Sequence, residues 1–133
     1  MKQLDRSIPR NLCNVRVKSS RECEGFQIEP GKLKQHLFMP PIKSIEKMEA
    51  YKYIRWGESK GFDNIPTCSS RAKWWYLGER RIPPIISSCS VSELYRAFDN
   101  KGVLADKRLY EIYIDTNEKE QLLLSLCSTL TNF

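Results

Sequence analysis

The sequence predicts an α+β fold, with a mostly antiparallel sheet of five to seven strands around one main helix and a further helix at the C-terminal end. Three observations carry this. Residues 12–17 alternate apolar with polar side chains, the period of a half-buried strand, and 109–114 read as a strand with Tyr110, Ile112 and Ile114 on one face. Ser44 precedes apolar residues three and four apart, the spacing of an amphipathic helix. Asn117 opens a second helical stretch dense in leucine.

Taken in order, residues 1–25 read as a basic lead-in and first strand, in which Arg16 faces away from Val15 and Val17. Phe26-Gln27-Ile28 reads as a short strand stopped by Pro30-Gly31. Residues 32–41 read as irregular, with Leu33, Leu37, Phe38 and Met39 in the core and Pro40-Pro41 barring a central strand. Ser44 is an N-cap residue with Glu46 in the first turn, so a helix is expected over 45–57. Its buried stripe is Ile45, Met48, Tyr51 and Ile54 or Arg55, and Gly57 and Gly61 are candidate stops. Trp56 is either core or exposed for stacking, and core is the expectation.

A polar loop over 64–70 leads to a strand over 73–77, with Trp75 and Leu77 facing the core. Residues 82–86 carry Pro83-Pro84 and read as an edge strand or extended segment. A strand over 93–98 runs into a hairpin turn, Asp99-Asn100-Lys101-Gly102. Tyr110, Ile112 and Ile114 share one face of the next strand. Asn117 and Glu120 form a capping box for the last helix. Leu122, Leu123, Leu124, Leu126 and Leu130 make that helix greasy enough to want cover on more than one side. The domains expected are therefore the lead-in 1–25, a central domain 26–116, and a leucine-rich helix that starts in 117–133 and looks cut short.

Charge is uneven along the chain. The net charge is +6, with +8 in the first 81 residues and −2 in the remainder, which favours an anionic partner for the first part. The alternative is a basic face that is simply solvated. No apolar run reaches the ~18 residues of a membrane span, and no apolar segment follows Met1. A cytoplasmic protein without a membrane partner is expected. Cys13, Cys23, Cys68, Cys89 and Cys127 lie too far apart for zinc-site pairs, and His36 is the only histidine. Reduced, mostly buried thiols and no metal are expected. Glycine-rich phosphate loops and Gly-x-Ser-x-Gly elbows are missing from the sequence, so a binder is expected rather than an enzyme, with no catalytic residues.

The stretch 71–84 concentrates the binding signal. It holds Trp74 and Trp75 with Arg71, Lys73, Arg80 and Arg81, against the single acid Glu79. Cations meet phosphates or base edges, and rings stack or pack behind them. Equally, such a pattern describes a strand whose aromatics are core and whose cations are wet.

Several ordered segments carry a family likeness. Tyr53-Ile54-Arg55-Trp56-Gly57-Glu58, Gly61-Phe62 and Thr67-Cys68-Ser69-Ser70-Arg71-Ala72-Lys73-Trp74-Trp75-Tyr76-Leu77 resemble the target-recognition region of bacterial N6-adenine DNA methyltransferases. So do Asn100-Lys101-Gly102-Val103-Leu104-Ala105 and the leucine-rich segment after residue 121, over roughly 26–133 in all. These are TaqI-like specificity domains of restriction–modification enzymes. The resemblance implies double-stranded DNA as partner, together with an upstream methyltransferase domain that binds S-adenosylmethionine, alone or fused to an endonuclease. The catalytic Asn-Pro-Pro-Tyr/Phe motif of such enzymes has no counterpart at Pro40-Pro41 or Pro83-Pro84, so no cofactor is expected in this chain. Lys52, Lys60, Arg80 and Arg81 are the expected phosphate contacts. Ser70, Arg71, Lys73 and Trp74 are expected at base edges, with Asn100 and Lys101 second in rank. Two other functions fit the sequence: a separate specificity subunit or RNA-binding module, and a protein-interaction domain using the C-terminal helix.

Overall fold

The computed structural model describes residues 13–89 and 95–128. The lead-in, Leu12, Leu94 of the expected 93–98 strand and Leu130 of the last helix lie outside them. The chain is α+β, but its strands form two three-stranded sheets rather than one sheet around a helix. The strands are β1 Cys13–Val17, β2 Gln35–Phe38, β3 Ile85–Ser88, β4 Ala97–Asp99, β5 Leu104–Ala105 and β6 Leu109–Ile112. One sheet has the order β2-β1-β5, with β1 and β5 parallel, and the other has the order β4-β3-β6, antiparallel throughout. The helices are α1 Ala50–Ser59, the single turn α2 Pro66–Ser69, and α3 Thr116–Leu126. None of these helices is long and apolar enough to cross a membrane.

Two compact units share the chain, divided inside β1 and β2. The first contains Leu37–Glu79; the second contains Val15–His36 and the chain from Arg80. The core of the second unit is Val17, Ile28, Ile86, Phe98 and Val103, each at most 1% exposed, with Cys23, Leu33, Ala105 and Leu109 around them. Burying side chains of this size stabilises by about 1.5–3 kcal/mol each. That of the first unit is smaller: Ile45, Ala50, Ile54 and Trp75.

Several expectations are corrected, each for a local reason. β3 is the central strand of its sheet, because Pro83 and Pro84 stop just short of Ile85 and leave its ladder N–H groups free to pair. Phe26-Gln27-Ile28 makes only an isolated bridge, Gln27 to Asp99, and Phe26 is 67% exposed. β2 forms within the stretch read as irregular, at the edge of its sheet and ending before Pro40. Asp99 to Gly102 is a turn, with Gly102 at φ 95°, but it links strands of different sheets and closes no hairpin. In β6, Leu109 is buried and Tyr110 is 58% exposed.

Ser44 does not cap a helix. It sits in the left-handed region at φ 62°, its side chain caps nothing, and its carbonyl closes a 3-10 turn over Ile45–Lys47. Extended backbone at Met48 then resets the chain, and α1 starts at Ala50. Its buried stripe is Ala50, Ile54 and Gly57. Asn117 falls inside α3, which begins at Thr116 after Asp115, so the capping box does not form.

α3 is tied to β4 by Lys119, whose Nζ donates to Asp99 at 2.7 Å, and by the Cys127 thiol, which donates to the Ala97 carbonyl at 3.4 Å. Burial alone would raise the Asp99 pKa, but hydrogen bonds and charge from Lys101 and Lys119 prevail and hold it below the usual value. Its contribution to stability is therefore complete above the unfolded carboxyl value near ~3.9 and is lost as pH falls through the lower folded value. Urea midpoints of the protein should drop with pH below about 4, and Asp99→Asn should flatten part of that slope. An unchanged slope would remove Asp99 from the account.

The five cysteines are free thiols. Only Cys23 is buried, fewer than the sequence led us to expect, and burial pushes its pKa up to about 11 although Arg96 pulls the other way.

Candidate functional site

In the first unit, α1 and the segment after α2 are held together by tryptophan. Residues 71–75 form bends and turns, not the expected strand: Arg71 N–H donates to the Cys68 carbonyl, and Tyr76 N–H donates to the Lys73 carbonyl. Trp75 is buried as expected, but Leu77 is exposed. The Trp74 ring lies directly on α1 at Gly57, where an added Cβ would stand 2.5 Å from its Cη2. Only a glycine in that helical position permits the approach.

The indole also ends a string of five rings. Phe38 meets Tyr53 at 5.3 Å, Tyr53 stacks on Trp56 at 5.5 Å, Trp56 meets Phe62 edge-on at 5.7 Å, and Phe62 meets Trp74 at 6.4 Å. Trp56 is thus not core: it is 40% exposed, and Phe62 is 36% exposed.

Several cations belong to the same unit as this string. Lys60 follows α1, its backbone N–H bonded to the Trp56 and Gly57 carbonyls, and its exposed side chain has no acidic partner among the described residues. A cation there also complements the negative end of the helix. Lys52 pairs with Glu49 at 3.0 Å and Arg55 with Glu58 at 2.9 Å, both one turn apart. Exposed pairs are worth about 0–1 kcal/mol, so an incoming phosphate can displace them. Arg71 donates to the Trp74 carbonyl at 3.4 Å, and Lys73 lies over the Trp75 ring at 5.4 Å. Ser70, at the end of α2, is exposed. Lys52, Lys60, Ser70, Arg71, Lys73 and Trp74 therefore share one unit.

The remaining candidates belong to the second unit. Arg80 reaches Glu111 at 3.4 Å and the Ala105 carbonyl at 3.5 Å. Arg81 covers the Tyr113 ring at 4.8 Å. Burial, and then a hydrogen bond to Glu111, raise the Tyr113 pKa, which keeps its hydroxyl protonated beside the two arginines. Lys101 pairs with Asp99 at 2.8 Å and is half exposed. Asn100 is corrected: at 7% exposure it is no turn tip, and its amide bonds Pro83 and Val103 inside the fold. The two arginines and the pair Arg71 and Lys73, read together in the sequence, fall in different units.

A cavity of about 340 Å³ in the second unit is lined by Phe26, Gln27, Asp99, Lys101, Lys119 and Leu124 among others. Two carboxylates line it: Asp99, paired with Lys101 and Lys119, and Glu120.

A family model described as the type II methyltransferase M.Eco57I, C-terminal domain, matches residues 12–133. The chain belongs to that family. The match bears out the resemblance to a restriction–modification methyltransferase domain and extends it back from residue 26 to take in β1. M.Eco57I family membership thus covers both compact units. Comparison with curated proteins found no match, and comparison with solved structures found none.

Two parts of the site were missed in the sequence. Gly57 read as a helix stop, although a glycine inside a helical pattern is also a sign of close packing. Phe38 read as an ordinary core residue and Phe62 only as part of the family-like Gly61-Phe62; only the spacing of Tyr53 and Trp56, three apart on a helix, hinted at a ring pair.

Proposed function

We propose that this chain reads double-stranded DNA as the target-recognition part of a type II adenine-specific methyltransferase. The observation that carries it is the seat of Trp74 on Gly57, which fixes the bend bearing Arg71 and Lys73 against α1 and its cations. Lys60 and Lys52 neutralise phosphates and set register, and Arg80 and Arg81 do the same from the second unit. Arg71 and Lys73 reach base edges, with Ser70 beside them, because an arginine fork matches guanine through two parallel bonds. Trp74 positions this bend from behind. Lys101 stays second in rank. Catalysis and S-adenosylmethionine belong to the upstream methyltransferase part, in the cytoplasm.

Duplex affinity of the chain, measured against salt concentration, should fall steeply, because each neutralised phosphate releases condensed counterions. A flat dependence rejects the reading. Arg71→Ala should relax sequence preference, with an expected cost of about 1–3 kcal/mol at the preferred base, while Lys60→Ala should weaken all sequences alike. Equal effects from both would reject the division of roles. Competition by structured RNA would point to the RNA-binding alternative. A second reading rests on Leu124, which is 74% exposed on α3 and fits a protein interface. Sedimentation of the chain with and without DNA separates the two.

A further inference from the structure

We propose that the exposed rims of Trp56 and Phe62 read thymine, packing on its C5-methyl group in the major groove of the bound duplex. This rests on the DNA-reading function above and adds a base to it. Both rings stay partly exposed, at 40% and 36%, although each belongs to a string of aromatic contacts. Arg55 and Lys60 flank Trp56 in the chain, and the acids nearby in sequence are Glu58, which pairs with Arg55, and Asp63. Lys60 stands one helical turn after Trp56, without an acidic partner among the described residues, and Gly61 then turns the chain into the 3-10 turn that begins with Phe62. An apolar ring surface beside an exposed lysine suits a surface that meets phosphates and a hydrocarbon group together.

The geometry favours a methyl group over a stacked base. Tyr53 stacks on Trp56 with an interplanar angle of 28°, and Phe62 lies between two indoles at 83° and 68°. Tyr53 thus covers one face of Trp56, and Phe62 is packed edge-on between the two indoles. In a closed duplex the base faces are also covered, and the edges are what a protein can reach. Among the major-groove edges, thymine alone presents a methyl group. The string holds both rings in place before DNA arrives, so little ordering cost opposes the contact. Arg71 and Lys73, held on the same unit through Trp74, supply the polar part of the same readout.

The test uses the 133-residue chain and a random-sequence duplex library. Duplexes it enriches are resynthesised with deoxyuridine in place of each thymine in turn, which removes only the methyl group. One or two positions should lose affinity about fourfold, the worth of one methyl group leaving water. Trp56→Ala or Phe62→Ala should bring that ratio to about one while the salt dependence of binding persists. Equal affinity for thymine and uracil at every position overturns the proposal, and this arm needs no variant. So does enrichment of sites without thymine, enrichment of no sequence, or a ratio that survives both substitutions. Salt-independent binding, or none, would instead sink the DNA-reading function beneath it.

Discussion

Asn100→Ala should lower the stability of this protein by about 3 kcal/mol, read as a fall in the urea midpoint at unchanged slope. The Asn100 amide nitrogen donates to the Pro83 carbonyl at 2.7 Å and the Val103 carbonyl at 2.8 Å. Its oxygen accepts from the Val103 N–H at 3.0 Å. One side chain thus ties the turn after β4 to the segment that enters β3. The surroundings are dry: Pro83 is fully buried and Val103 is 0% exposed, so water cannot replace the lost partners. A buried backbone group left without a partner costs about 1–3 kcal/mol, and three are at stake. Asn100→Asp retains the acceptor but faces two carbonyl oxygens with a carboxylate. It should be at least as damaging at neutral pH and should recover in part as pH falls, when protonation restores a donor. Below the unfolding transition, DNA affinity of the alanine variant should match the parent chain, because the amide points into the fold. A stability change under about 0.5 kcal/mol would place Asn100 among ordinary surface residues and reopen it as a contact.

The α+β class was legible because period-2 and helical patterns are local: β1 and β6 lie within two or three residues of their expected places, and α3 starts within one residue of its own, although it ends at Leu126, short of the expected Leu130. Sheet membership is not local. Asp99 to Gly102 has the composition of a hairpin turn, yet β4 and β5 enter different sheets, because β5 pairs in parallel with β1 some 88 residues away, Arg16 opposite Leu104. No turn residue encodes that partner. Aromatic runs were ambiguous for a related reason. Trp74 and Trp75 alternate like strand residues, but an indole also finds cover from a turn, here against α1. The cations of 71–81 were readable as a group, while their separation into two units required contacts from chain far away in sequence. Family likeness crossed this gap better than periodicity, since it compares whole ordered motifs.

Gly57→Ala should destabilise the protein by about 1–2 kcal/mol, although alanine is the better helix former by about 1 kcal/mol. The sign depends on one contact. A Cβ at this position stands 2.5 Å from Trp74 Cη2 and 2.8 Å from Cζ2, closer than carbon atoms can remain. The indole is a rigid plate with Phe62 against it, so it cannot bend aside as a lysine would. It must move as a body, and overpacking of this kind costs about 1–3 kcal/mol. In a Trp74→Ala background the obstacle is gone, and the same Gly57→Ala change should then stabilise by roughly the helix-propensity difference of ~1 kcal/mol. A double-mutant cycle in urea therefore predicts a change of sign, not merely of size. If Gly57→Ala stabilises both backgrounds equally, Trp74 does not rest on α1. The functional consequence runs through the same plate. Pushing it outward displaces the bend that carries Arg71 and Lys73, so Gly57→Ala should weaken duplex binding below its unfolding transition although residue 57 carries no charge and touches no DNA. Arg71→Ala added to Gly57→Ala should then cost less than it does alone, because the guanidinium has already lost its place.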